Sequence, residues 1–242
     1  MHGDEYMREL KIKIAAAAIL ASFVIVLSGC ANKIVSNVIE RRVEEKLPEL
    51  IGRADSYEVK VHGGTVAMSR GRIQEMTITA AGVQAVDGLR IDVLRVFIKD
   101  IIADASTGEV KSLGSVRFTA SVSEKSINDY FDKTDRKGIR IELLRGTLVA
   151  HAKPRVLGIP AAVRVTGMLV PDGGRLNLRI DKLKVIGVNV PSIAEDVVEK
   201  RINPVVDLSA TSFSPKLESV EMLPKVLRVS GEAKMSGIVG SR

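Results

Sequence analysis

The sequence is poor in aromatic residues. Phe, Trp and Tyr together make up 3% of its 242 residues, and Trp is absent. Proteins that bind single-stranded nucleic acid stack the bases on aromatic side chains. The shortage therefore argues against nucleic acid as a partner, although a formal charge of +7 favours anionic partners in general.

Cysteine and histidine are also scarce. A single Cys excludes an internal disulfide framework, a thiol redox pair and a Cys-rich zinc site. His62 and His151 lie in alternating segments that predict exposed strand positions, and no G-x-S-x-G nucleophile elbow occurs. The sequence thus predicts a protein without enzymatic activity, metal or cofactor.

The chain begins with a basic segment, and residues 14–27 then form a run that is apolar except for Ser22. A helix of that length spans about 21 Å, short of the roughly 30 Å hydrocarbon core of a bilayer, and matches the apolar region of a signal peptide. The run ends in Leu27-Ser28-Gly29-Cys30, the pattern of a bacterial lipobox. We therefore expect cleavage between Gly29 and Cys30 and acylation of Cys30, for example with palmitate.

This processing divides the chain into a signal peptide, residues 1–29, and one mature domain, residues 30–242. No linker rich in Gly, Pro or Ser interrupts the mature part. More than one acyl chain on Cys30 suffices for stable anchoring. The expected location is the extracytoplasmic face of the cell membrane or outer membrane, whether translation starts at Met1 or Met7.

Apolar residues between Asn32 and Ile51 recur at helical spacing and predict an amphipathic helix that stops before Gly52. This stripe can face either the protein core or the membrane interface beside the acylated cysteine. The acidic residues between the apolar positions, among them Glu40 and Glu44, are predicted to lie on a solvated face.

Two more helices are predicted. One begins at Ser123, and the other begins at the capping box Ser192-Ile193-Ala194-Glu195 and ends or kinks near residues 201–203, before Pro204. The apolar stripe of the second comprises Ile193, Val197, Val198, Ile202, Val205 and Val206.

The rest of the mature chain alternates with a period of two, which predicts long antiparallel strands. Hairpin turns are predicted at Gly63-Gly64, with residues 65–70 as the returning strand, at Gly173-Gly174 and at Pro224-Lys225.

The alternation slips by one residue at two places, between Val93 and Leu94 and at Asp181-Lys182, and each slip predicts a β-bulge. The whole pattern predicts an α+β domain in which a long, strongly curved antiparallel sheet wraps around amphipathic helices.

Basic residues recur between the apolar strand positions, and two interpretations stay open for them. They form either a solvated outer face or a surface attracted to anionic membranes, at about 1 kcal/mol per cation near the surface. The residues are Arg140, Arg145, Lys153, Arg155, Arg164, Arg175 and Arg179.

Several polar markers in this pattern match a known family. Asn203-Pro204 precedes Asp207-Leu208-Ser209, and Asn128 follows Ser123 by five residues. With these markers the sequence resembles the LmeA-like phospholipid-binding family over residues 34–235, although Ser212 stands where the family's Pro-Phe pair has its proline. The resemblance implies a curved sheet similar to tubular lipid-binding domains, and phospholipid binding for maintenance of the cell envelope.

An apolar groove between sheet and helices would suit acyl chains, because each buried CH₂ contributes about 0.8 kcal/mol. The expected partners are phospholipid and, through acylated Cys30, the membrane. Two functions stay open: a lipoprotein that binds or transfers phospholipid, and a non-enzymatic envelope adaptor without lipid cargo. The candidate groove residues are Val38, Ile39, Val43, Ile193, Val197, Val198 and Ile202.

Replacing Cys30 with Ala tests the anchor. We expect the variant to stay unprocessed or to become soluble, because it lacks the thiol that receives the lipid, and metabolic labelling with a fatty acid to disappear. Equal labelling of the variant and the unmodified protein would contradict the lipobox assignment.

Overall fold

The computed structural model describes residues 32–84, 88–104, 110–134, 138–153, 155–156, 159–160, 162–185, 203–207 and 215–233. Over these ranges the protein is α+β and consists mostly of antiparallel strands, which confirms the predicted class.

The described helices are α1 (Asn32–Leu50), α2 (Thr65–Ser69) and α3 (Glu124–Lys133). Gly52 follows α1 with a φ of 102°, a conformation that glycine adopts readily. Ser123 caps α3, since its side-chain oxygen accepts a hydrogen bond from the Ser126 backbone N–H at 3.2 Å. The predicted end of α1 and start of α3 are thus confirmed.

The strands within the described ranges are β1 (Ser56–His62), β2 (Arg72–Gln84), β3 (Arg90–Ala103), β4 (Val110–Ser112), β5 (Ser115–Ser123), β6 (Arg140–Leu144), β7 (Thr147–Ala152), β8 (Arg155–Val156), β9 (Ile159–Pro160), β10 (Val163–Asp172), β11 (Arg175–Val185), β12 (Val206–Asp207), β13 (Pro215–Leu223) and β14 (Val226–Ala233). The first sheet has the order β1-β2-β3-β5-β14-β13, with β4 paired to β3. The second sheet has the order β12-β11-β10-β7-β6, and β8 pairs with β9.

Each of the two larger sheets is built on the same unit, a helix followed by a four-stranded meander. The first unit is α1 with β1-β2-β3-β5, and the second is α3 with β6-β7-β10-β11. Strands β14 and β13 extend the first sheet beyond β5, and β12 extends the second beyond β11. The chain therefore contains a structural repeat.

In the first unit, α1 closes the open edge of β1 with two glutamates. The carboxylates of Glu40 and Glu44 accept hydrogen bonds from the backbone N–H groups of Val61 and Val59, each at 2.9 Å. The prediction that these glutamates lie on a solvated face was wrong, because helical periodicity does not show that a strand edge lies beside the helix.

The second unit repeats this contact between α3 and the edge strand β6. Glu124 accepts a hydrogen bond from the Leu143 N–H at 2.7 Å. The Asn128 amide both accepts from the Ile141 N–H and donates to the Ile141 carbonyl, each at 2.8 Å. Four residues of a helix rise about 6 Å, and two residues of a strand rise about 6.6 Å. Two side chains that are four residues apart on a helix can therefore reach two N–H groups that are two residues apart on the adjacent strand.

Asn203 closes part of the other edge of the second sheet in the same manner. Its amide accepts from the Leu178 N–H and donates to the Leu178 carbonyl, each at 2.7 Å. The helix predicted to begin at Ser192 lies outside the described residues, and its end stays a prediction. Asn203 itself is not helical, and Val206, which the prediction assigned to the apolar stripe of that helix, belongs to β12 (Val206–Asp207).

One of the two predicted bulges is present. The pairing of β10 with β11 shifts between Thr166 and Gly167, which leaves Asp181 as the extra residue on β11. An ideal Cβ on Gly167 would lie 2.3 Å from the Arg179 carbonyl oxygen, so glycine fits this close approach.

The bulge predicted between Val93 and Leu94 was wrong. The pairing of β3 with β2 and with β5 continues through both residues without a shift. Strand β3 lies inside the sheet and carries apolar residues on both faces, so the change of phase reflects composition and not backbone geometry.

The hairpins at Gly173-Gly174 and Pro224-Lys225 are confirmed. The strand predicted at residues 65–70 after the Gly63-Gly64 turn was wrong. Residues 65–69 form the short helix α2, and the strand that pairs with β1 begins at Arg72. Met68 of α2 is buried in one cluster with strand residues such as Val59 and Ile73.

Replacing Asn128 with Ala tests the closure of the second sheet. Two hydrogen bonds to Ile141 are lost and its N–H and C=O are left unpaired, so we expect the free energy of unfolding to fall by about 1–3 kcal/mol. Denaturant unfolding measures the change.

The matched control is Asp129→Ala on the next position of the same helix. Asp129 forms an exposed ion pair with Lys125 on the helix surface, and exposed pairs add little to stability, so its replacement should lower the free energy of unfolding much less than that of Asn128. Equal effects of the two substitutions would show that Asn128 does not support the edge.

Candidate functional site

The first sheet has one continuous apolar face. In register across the strands, Ala80 pairs with Leu94, Leu94 with Ala120, Ala120 with Val229, and Val229 with Val220. With about 4.8 Å between strands, this row extends roughly 19 Å over five strands.

A second apolar row runs beside the first. Ile78, Val96 and Phe118 pair in register, and Phe118 lies opposite Gly231. An ideal Cβ on Gly231 would lie 2.2 Å from the Lys216 carbonyl oxygen, so this position excludes a side chain. The Phe118 ring therefore has no cross-strand side chain on the β14 side.

The opposite face of the same sheet is mostly polar, although β3 also places Val93 and Phe97 there. Its members include Thr77, Thr79, Arg95, Thr119, Ser121, Arg228 and Ser230. The sheet is thus amphipathic across its width, and its apolar face needs a cover.

At the β1 end, that cover is α1. Ile39 and Leu47 of the helix, each 2% exposed, form a buried cluster with strand residues that include Val59 and Ile78. The hydroxyl of Tyr57 donates to the Gly52 carbonyl at the end of α1, and burial raises the pKa of Tyr57. This is the first core.

At the β13 end, the second sheet is the cover. Leu143, Leu148 and Leu178 of that sheet form a buried cluster with Met222 and Leu227 of the first, and Ile127 of α3 packs against it. This is the second core.

Between the two cores lies a set of apolar residues that belongs to neither cluster. Leu94, Phe118 and Ala120 are partly exposed on the apolar face, at neighbouring positions of β3 and β5. We call these three residues the central strip. Their exposure in the middle of an apolar face marks a surface suited to an apolar ligand.

The strip is bounded along β3 by a carboxylate that already has partners. Asp92 lies two residues from Leu94 and accepts hydrogen bonds from the Ser123 N–H at 2.5 Å and the Ser126 hydroxyl at 3.2 Å. It thereby stabilises the start of α3.

Further along β3, Arg90 pairs with Asp55 at 2.5 Å, and the hydrogen bond from Arg90 lowers the pKa of Asp55. The charged groups at this end of the strip are therefore engaged with one another, and the strip itself offers only apolar contacts.

The predicted groove residues on α1 are divided between core and surface. Ile39 is fully buried in the first core, Val43 packs against that core, and Val38 is 39% exposed. Ile193, Val197, Val198 and Ile202 on the later segment lie outside the described residues, as do Gly29 and Cys30. The groove role of the four apolar residues on the later segment stays a prediction, as does the processing at Gly29 and Cys30.

Sequence reasoning did not select the central strip as a site. The alternation of Leu94, Val96 and Ile98 indicated one face of a strand but not its neighbours. Identifying the strip required the pairing of β3 with β5, which connects residues some 25 positions apart.

His62 and His151 are both exposed on strands, as predicted, and the Glu142 carboxylate lies 3.8 Å from the His151 ring. Within the ranges that the structure covers, no group of three or more His, Cys, Asp or Glu could hold a metal ion. No described helix is both long and apolar enough to cross a membrane.

An amphipathic antiparallel sheet with a partly uncovered apolar face defines a class of protein that can accept an apolar ligand. The chain matches the LmeA-like phospholipid-binding family over residues 28–232 and belongs to that family, which confirms the resemblance. No curated protein and no solved structure matches it significantly.

Proposed function

We propose that this protein binds a phospholipid with its acyl chains along the central strip. The observation that carries the proposal is the apolar face of the first sheet, which is covered at both ends and partly exposed at Leu94, Phe118 and Ala120 in the middle. Membership of a phospholipid-binding family supports the same ligand class.

The energetics of the strip suit acyl chains. Burial contributes about 0.8 kcal/mol per CH₂, so ten methylenes contribute roughly 8 kcal/mol before the cost of ordering the chains. Aliphatic chains need no directional partner, and the strip supplies none.

The proposal places the protein on the extracytoplasmic face of the cell membrane or outer membrane, anchored through acylated Cys30. In this position it takes part in maintenance of the cell envelope, where it binds phospholipid and passes it between membranes. A strong curvature of the first sheet around its helices belongs to the same proposal. The lipobox sequence and the family support it, and no catalytic step is assigned.

Replacing Ala120 with Trp tests the strip. In the form lacking residues 1–30, the indole should occupy the acyl volume, so phospholipid extracted by organic solvent and measured by mass spectrometry should fall several-fold. The melting temperature should change little, because overpacking is costly only where neighbours are already in contact.

Ser121→Trp is the matched control. It adds a similar volume at the next residue of β5, on the polar face of the same sheet, and should leave bound phospholipid unchanged. Equal lipid content in both variants would contradict the strip as the binding site. An unmodified protein without phospholipid would favour an adaptor function instead.

A further inference from the structure

The outer face of the second sheet carries a row of basic side chains across four strands. Arg140 pairs with His151, His151 with Arg164, and Arg164 with Lys184, so the four residues are direct cross-strand neighbours. All four are exposed. At about 4.8 Å per strand the row is roughly 14 Å long. We call it the basic row.

The row faces away from the second core. The residues adjacent to its members along the strands, Ile141, Ala150, Val163 and Leu183, pack against that core. Alternation along a strand then directs the basic side chains to the opposite side of the sheet. Lys182 is exposed at the next position of the same face, between Lys184 and the bulge at Asp181.

Among the described residues, acidic side chains lie beside one end of the row. Asp132 binds Arg140 at 2.8 Å, and Glu142 lies 3.8 Å from His151. Among the residues with described side chains, Arg164, Lys182 and Lys184 form no ion pair. Like charges directly opposite each other destabilise a sheet, so the fold gains nothing from this arrangement.

We propose that the basic row docks the protein on the surface of an anionic phospholipid bilayer. A bilayer is the favoured partner because Arg164, Lys182 and Lys184 supply exposed cations on one face, without the aromatic side chains that nucleic acid binding uses. Membership of a phospholipid-binding family agrees with a phospholipid surface as the partner. Docking by this face is separate from the occupation of the central strip.

The test uses the full chain reconstituted on vesicles of phosphatidylcholine alone or with 30% phosphatidylglycerol. Lys184 is labelled with a water-soluble amine reagent, and Lys99, exposed on the first sheet, is the internal reference. We expect labelling of Lys184 to slow at least about fivefold on the anionic vesicles, the factor that a single surface cation contributes. High salt should restore it, and Lys99 should not change.

A charge variant with a matched control completes the design. Arg164→Gln should reduce the protection of Lys184 about fivefold, the factor that one surface cation contributes, and leave the melting temperature equal or higher, because a like-charge neighbour is removed. Arg95→Gln removes the same charge from the first sheet and should keep the protection. Phospholipid in the strip should be unaffected by either, so failure of docking and failure of lipid binding are distinguishable.

Three results would overturn the proposal. These are equal labelling of Lys184 on both vesicles, equal protection of Lys99 and Lys184, and loss of protection in both Arg variants. Stronger protection by a soluble oligonucleotide than by the anionic vesicles would assign the row to a polyanion and would also overturn it.

Discussion

The structure depends on how the open edges of its two sheets are closed. An edge strand carries unpaired N–H and C=O groups. Burying these groups without a partner lowers stability, and leaving them exposed allows strands of other molecules to pair with the edge. Side chains of α1 and α3 supply the missing partners, with Glu40 and Glu44 on β1 and with Glu124 and Asn128 on β6. Each helix is thereby fixed along an edge, and its position decides which part of the neighbouring apolar face it covers.

Within the described part of the chain, closure at the edges leaves the middle of the first sheet partly exposed. Helix α1 covers the β1 end and the second sheet covers the β13 end, so the partly exposed residues are those farthest from both. The polar markers of the family, Asn128 and Asn203, act on this closure, since each binds the N–H and C=O of one strand residue. These two asparagines stabilise the sheet edges. The proposed ligand contacts, in contrast, are apolar residues that form no distinctive sequence motif.

The sequence was sufficient for features that local chemistry determines. The cap at Ser123, the stop at Gly52, two hairpins and the bulge at Asp181 all follow from residue type and alternation. It was insufficient where a distant partner decides. Helical periodicity predicted that Glu40 faces solvent, because the periodicity of a helix does not show that β1 lies beside it. The change of phase at Leu94 resembled a bulge, because an interior strand can be apolar on both faces. The short helix α2 was not predicted from the sequence, because five residues are too few to show a helical period.

The repeated unit shows how one architecture can serve two purposes. In both units a helix closes the first strand of a meander, and the inner faces form the two cores. The outer faces differ: the first sheet mixes hydroxyl and basic residues there, whereas the second aligns Arg164 and Lys184 in one row with no intervening acid. A row of like charges opposes folding. Its position on the unit without the central strip is the arrangement expected if one sheet holds lipid and the other meets the membrane from which lipid comes.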